Sequence, residues 1–131
     1  MKELKFRDLK AEEIDCRVST ITENYLTLLL YKDARVDMDI LDETVGANNW
    51  QRHHTRENAN CIVSIWDEDK KQWIDKEDTG TESFAEAAKG LASDSFKRSC
   101  VNWRNTEGNS IQLHLYIYQL KIQTQVENIG N

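Results

Sequence analysis

Asn60 to Gly80 reads NCIVSIWDEDKKQWIDKEDTG. Apolar runs stand on either side of a charged centre, and Gly80 closes the stretch. Two such runs around a short polar loop predict an antiparallel β-hairpin. The tip, DEDKK, lacks the ligand spacing and central glycine of a calcium loop, so it reads as a solvated turn. After Gly80, TES offers Thr or Ser as a helix N-cap. Phe84, Ala88, Leu91, Ala92 and Phe96 then share one broad face of a helix predicted over 84–103. A hairpin feeding a long helix sets the class: α+β, with an antiparallel hairpin or meander sheet packed on helices.

The same reading extends toward the N-terminus. Ala34, Met38, Leu41 and Val45 recur at spacings of four, three and four, which predicts a shorter helix over 33–45 with Gly46 as its C-cap. YLTLLLY, Tyr25 to Tyr31, reads as a buried strand, and Leu9 to Ile14 as a short helical turn. Trp50 to Asn58 reads only as a polar segment. Neither repeats nor low-complexity linkers divide the 131 residues, which suffice for one core.

Composition narrows the function classes. Charged residues make up 31% and hydrophobic ones 39%, which suits a globular chain. The longest apolar run is strand-sized, so no membrane partner is expected, and MKELKFRDLKAEE lacks the apolar segment of a signal peptide. Cys16, Cys61 and Cys100 are odd in number and lack CxxC spacing, which points to a reducing, cytoplasmic setting. The net charge of −6 weighs against a simple nucleic-acid binder. The charge is uneven, however. Asn60 to Glu82 holds seven acids and three bases, whereas Ser83 to Trp103 holds two acids and three bases. A local basic groove can still hold nucleic acid on such a chain.

Residues with catalytic or metal-binding potential do not assemble into a recognisable pattern. His53 and His54 are adjacent, so on a strand they point to opposite faces and do not chelate together. Trp50, Trp66, Trp73 and Trp103 can serve as base-stacking platforms or as ordinary core. With no phosphate loop and no nucleophile elbow, neither an enzyme nor a cofactor is expected. What remains is a set of placed cations. Arg17 follows LKAEEIDC, Lys32 and Arg35 open the first long helix, and Lys97 and Arg98 lie late in the second, within GLASDSFKRSCVNW. Arg98 is seven residues from Leu91 and borders the small-residue face, while Lys97 points farther from it. A guanidinium there either grips phosphate through its planar fork or serves as a solubilising group with its stem on the core edge.

The order of these motifs is similar to that of a known family. LKAEEIDCRV has the form Leu-x-x-Glu-x-Ile-x-x-Arg, YKDARVDMDILDETVGANNW follows, and the hairpin and the AEAAKGLASDSFKRSCVNW helix come next. This succession resembles the annealing core of the Rad-fifty-two superfamily, including the phage recombinases called Sak, over Leu9 to Trp103. The resemblance implies a curved antiparallel sheet with helices packed on it. It also implies homo-oligomeric rings or filaments with single-stranded DNA in an outer groove. Arg17, Lys97 and Arg98 match the family's inner-groove cations, and Tyr31 an aromatic near them. Lys32 and Arg35 match no family ligand and are DNA-contact candidates on charge alone. The implied function is ATP-independent binding and annealing of single-stranded DNA in phage-type recombination and repair. The small residues of the second helix would then let it pack closely under the sheet.

After Trp103 the family pattern breaks. Plausible codons chosen for Asn105 to Leu120 can, in a shifted frame, spell a family-like continuation, so 104–131 reads as a frameshifted tail beside an annealing core over 1–103. SIQLHLYIYQLKIQT predicts one strand from Ile111 to Ile122, ordered through Thr124 and frayed from Gln125 to Asn131. That strand can join the existing sheet or pair with a neighbouring chain. A chain altered in this way has two rival readings: a protein-interaction module that binds a repressor or host protein, or an inactive remnant.

Overall fold

The computed structural model describes residues 3–81, 87–103 and 115–121, of which 19, 87–89 and 115–121 are described as backbone. A single 3-10 turn, Ala11–Glu13, precedes strand β1 (Asp15–Ile21) and strand β2 (Tyr25–Tyr31). Helix α1 (Ala34–Val45) follows, then β3 (Trp50–Thr55), β4 (Asn60–Asp67), β5 (Gln72–Thr79), helix α2 (Ala87–Val101) and β6 (Leu115–Lys121). The chain is therefore α+β, as its hairpin and helix patterns imply.

One antiparallel sheet was expected; the structure has two, each of three strands. Their orders are β1-β2-β6 and β3-β4-β5. β6 lies antiparallel to β2, with Tyr25 opposite Lys121 and Tyr31 opposite Leu115. The tail strand thus joins an existing sheet, although 111–114, Ile122 and the segment expected to fray lie outside the described residues. The same holds for the expected α2 start at Phe84 and for Ser83, one of the two caps that TES offers. β1 and β3 are strands that the sequence reading left unassigned.

Alternation on β4 decides how the second sheet packs. Cys61, Val63 and Ile65 are buried and join Phe96, Cys100 and Trp103 of the α2 segment, Ile40 and Leu41 of α1, and Phe6 in one core. Burying such apolar side chains supplies most of the stabilisation, about 1.5–3 kcal/mol each. Polar groups at the seam are paired. The Ser99 hydroxyl donates to the Lys76 carbonyl at 2.7 Å and accepts from the Val63 N–H at 3.2 Å, so it bridges β4 and β5. The Trp103 indole N–H donates to the Val63 carbonyl at 3.0 Å.

Close approach falls on the serines of the small-residue stretch and not on its glycine. A Cβ added to Gly90 meets nothing within 4 Å, whereas one at Gly80 would lie 2.9 Å from the Ser95 backbone nitrogen. Gly90 itself faces open space, and the close contact is made between Gly80 at the hairpin end and Ser95 of the same small-residue stretch, with Ser99 also buried at the seam. α1 starts at the Asp33 cap, whose carboxylate accepts from the Arg35 N–H at 2.8 Å, and ends at Gly46 with φ of 91°. Asp37 is buried on its inner face.

The first sheet contributes no residue to the buried apolar core of the described chain. Val18 is 52% exposed and Ile21 70%. It is joined to the rest of the molecule at the end of β2, where Lys32 is completely buried.

Candidate nucleic-acid interface

β1 and β2 pair with Arg17 opposite Leu29 and Asp15 opposite Tyr31. Period-two alternation therefore places Arg17, Leu29 and Tyr31 on one face. The Arg17 guanidinium carbon lies 5.8 Å from the centre of the Tyr31 ring, within cation–π range. Arg17 is exposed and Tyr31 half-buried, so both present area to solvent. The sequence-predicted Arg17 and Tyr31 are thus brought together.

The next residue behaves differently. The Lys32 ammonium lies 2.5 Å from an Asp37 carboxylate oxygen, with both side chains at zero exposure. Lys32 was expected at the surface as a DNA contact; here it is sealed in an ion pair and has no path to a phosphate. Burial pushes the Asp37 carboxyl up to about 6, opposed chiefly by the attraction of Lys32 and then of Lys97. Lys97 is half-buried. Its ammonium is pushed below the usual lysine range by burial first, with Asp37 pulling it up and Lys32 pushing it down. Lys97 was expected to point away from the packed face; it instead faces the buried pair. Two cations and one carboxylate therefore converge where β2, α1 and α2 meet.

Arg98 turns the other way. Its Nε donates to Asp94 at 3.0 Å and its Nη2 to the Thr81 hydroxyl at 3.0 Å, while Asp94 also accepts the Thr81 N–H at 2.7 Å. Its side chain is 35% exposed, which leaves part of the guanidinium accessible. Arg35 is exposed on the first turn of α1. Arg17 with Tyr31, and Lys97 with Lys32, are thus grouped; Arg98 and Arg35 stand apart from them.

Two further cations escaped the sequence reading. Arg52 of β3 is exposed, with its guanidinium carbon 4.4 Å from the centre of the Phe96 ring, and Arg56 is exposed in the following turn at φ of 52°. The density of basic residues in QRHHTR was the available signal. His53 and His54 do lie on opposite faces: His53 is exposed, while His54 Nδ1 sits 3.4 Å from the Ser95 hydroxyl oxygen. Burial lowers the His54 pKa, and Arg52 adds to the effect.

Trp50 and Trp103 pack on the core side, as the ordinary-core reading has it. Trp66 and Trp73 face away from α2 and meet edge-to-face at 5.5 Å. Among the described residues no group of three His, Cys, Asp or Glu could hold a metal ion, and no helix is long and apolar enough to cross a membrane. Comparison with protein-family models, curated proteins and solved structures finds no match for this chain.

Proposed function

We propose that this chain binds single-stranded DNA without sequence preference and promotes annealing of complementary strands without ATP, in the manner of the Rad-fifty-two-like core its motif order resembles. The observation that carries the reading is Arg17 set over Tyr31 on an exposed strand. A cation beside an aromatic is the minimal unit for holding one strand: the guanidinium takes a phosphate and the ring offers a stacking surface to any base. Lys97, Arg98, Arg52 and Arg56 are further cations available to the strand, although Arg98 is shared with Asp94, and Arg35 adds an exposed charge on the first turn of α1. Lys32 acts from within, by holding Asp37.

The mechanism needs no bond to be made or broken in the protein. Cations hold the backbone extended, hairpins in the bound strand are suppressed, and a second strand tests its pairing. Stacking then supplies the driving force, about 1.4 kcal/mol per base-pair step. Self-assembly fits the same reading, because the Val18 and Ile21 side of the first sheet exposes apolar area that a second subunit would cover. A phage-type recombination setting is part of the proposal and rests on the resemblance alone.

The test is binding and annealing of labelled oligonucleotides with the full chain at low salt, without ATP or divalent metal. The proposal expects tighter binding to an unstructured strand than to duplex, and faster annealing than without protein. Absence of binding by a folded sample would leave the protein-interaction reading in its place. The acidic outer face of the β3-β4-β5 sheet favours that second reading.

A further inference from the structure

Trp73, Asp75 and Glu77 follow one another at every second position of β5. Their strand neighbours Ile74 and Lys76 face the core side, where Ile74 packs against the core and the Lys76 ammonium lies over the Trp103 ring at 4.7 Å. Trp73, Asp75 and Glu77 therefore line the opposite face, spaced by about 7 Å per two residues. All three are exposed, Trp73 at 38%.

Each member of the row is held in place. Trp66, directly opposite on β4, braces Trp73 edge-to-face, and its own indole N–H donates to Glu68 at 2.8 Å. The Ser64 hydroxyl donates to one Asp75 oxygen at 2.5 Å, and the Asn60 amide donates to one Glu77 oxygen at 2.6 Å. A carboxylate has capacity for more donors than these. β5's own cation does not neutralise the row, because Lys76 is directed through the sheet and donates to the Asn102 carbonyl at 2.9 Å.

We propose that this outer face docks an extended peptide segment of a partner protein in which Lys or Arg alternates with small residues. The match is one of charge and period. An extended peptide presents every second side chain to one side at the same spacing as the carboxylates on β5, and the exposed indole accepts a cation at one end of the row. The same carboxylates repel a phosphate backbone, so this face and the Arg17–Tyr31 face serve ligands of opposite charge. The inference does not depend on the annealing proposal.

The experiment titrates the full chain with a peptide alternating Arg and Ser, by calorimetry at low salt. The comparison peptide has the same composition with its arginines in one block. Expected is saturable binding that prefers the alternating peptide. D75N with E77Q, and separately Trp73→Thr, should each weaken it about tenfold. D8N with E23Q, which removes the same charge elsewhere, should leave peptide affinity unchanged, and all three variants should stay folded at the assay temperature and still bind single-stranded DNA. Equal binding of the block peptide, an equal loss in the control variant, or no binding of the alternating peptide would overturn the inference. Loss of DNA binding alone would bear only on the annealing proposal.

Discussion

At the scale of single residues, the most consequential pair is Lys32 with Asp37. Both side chains have zero exposure at a separation of 2.5 Å. Removing one partner of a buried pair leaves the other charge uncompensated, at about 3–5 kcal/mol, whereas an apolar pair of similar volume can be neutral. Asp37→Ala should therefore destabilise strongly, and Lys32→Met with Asp37→Leu should recover most of the loss in urea unfolding. A single Asp37→Ala change costing less than about 1 kcal/mol would show that the pair is not sealed. Glu13 carries a different consequence. Its carboxylate accepts two bonds from Arg7, at 2.8 and 2.9 Å, and one from the Lys10 N–H at 2.8 Å. The Arg7 bonds, ahead of the backbone bond, lower its pKa from 4.5 to about 2. The folded value lies below the ordinary one, so this stability is present above pH 4.5 and is lost as pH falls toward 2. The pair is partly solvated, so about 1 kcal/mol is the expected size. Glu13→Gln should flatten the unfolding free energy across that interval; an unchanged acid slope would assign it to other carboxylates.

At the scale of elements, two glycines separate close packing from mere permissiveness. Gly80→Ala drives a methyl into the Ser95 backbone and should cost about 1–3 kcal/mol by pushing α2 off the hairpin. Gly90→Ala meets open space inside a helix and should stabilise by about 0.5–1 kcal/mol. Thermal melts of the two variants should move in opposite directions, and a stabilising Gly80→Ala would contradict the described seam. Both helices were legible from their apolar faces, and the hairpin and β2 as strand-length apolar runs, although β2 is half-buried and not the buried strand that its run suggests. β3 was not, because its core-facing positions are Trp50, Arg52 and His54. Arg52 reaches the core edge by stacking on Phe96, so a buried-side position is filled by a charged residue and the alternation disappears. β1 was hidden for the opposite reason: its Val18 and Ile21 are exposed, so nothing marked an inner face. The division into two sheets follows from long-range pairing, which local pattern does not encode. For the site, the Arg17–Tyr31 contact was reachable through motif resemblance, while Lys32 was placed by charge alone, and charge carries no information about burial.

At the scale of the whole molecule, the net charge of −6 means that any DNA contact works against the average field. The structure divides that field between two kinds of surface. Acids line the outer face of the second sheet, whereas the first sheet exposes Arg17, with Asp15 on the same face, and Arg98 stands on the α2 edge paired with Asp94. Binding carried by a few local phosphate contacts has a shallow but definite salt dependence, with each contact to a single strand adding about 0.7 to the slope of log affinity against log salt. The most direct test is therefore that slope, measured by fluorescence anisotropy with an unstructured single strand, for the unaltered chain and for Arg17→Ala. The account predicts binding by the folded chain, weaker affinity in the variant, and a slope reduced by about 0.7 with the thermal transition unchanged. Absence of binding at low salt, or an affinity and slope identical in the two proteins, would contradict it.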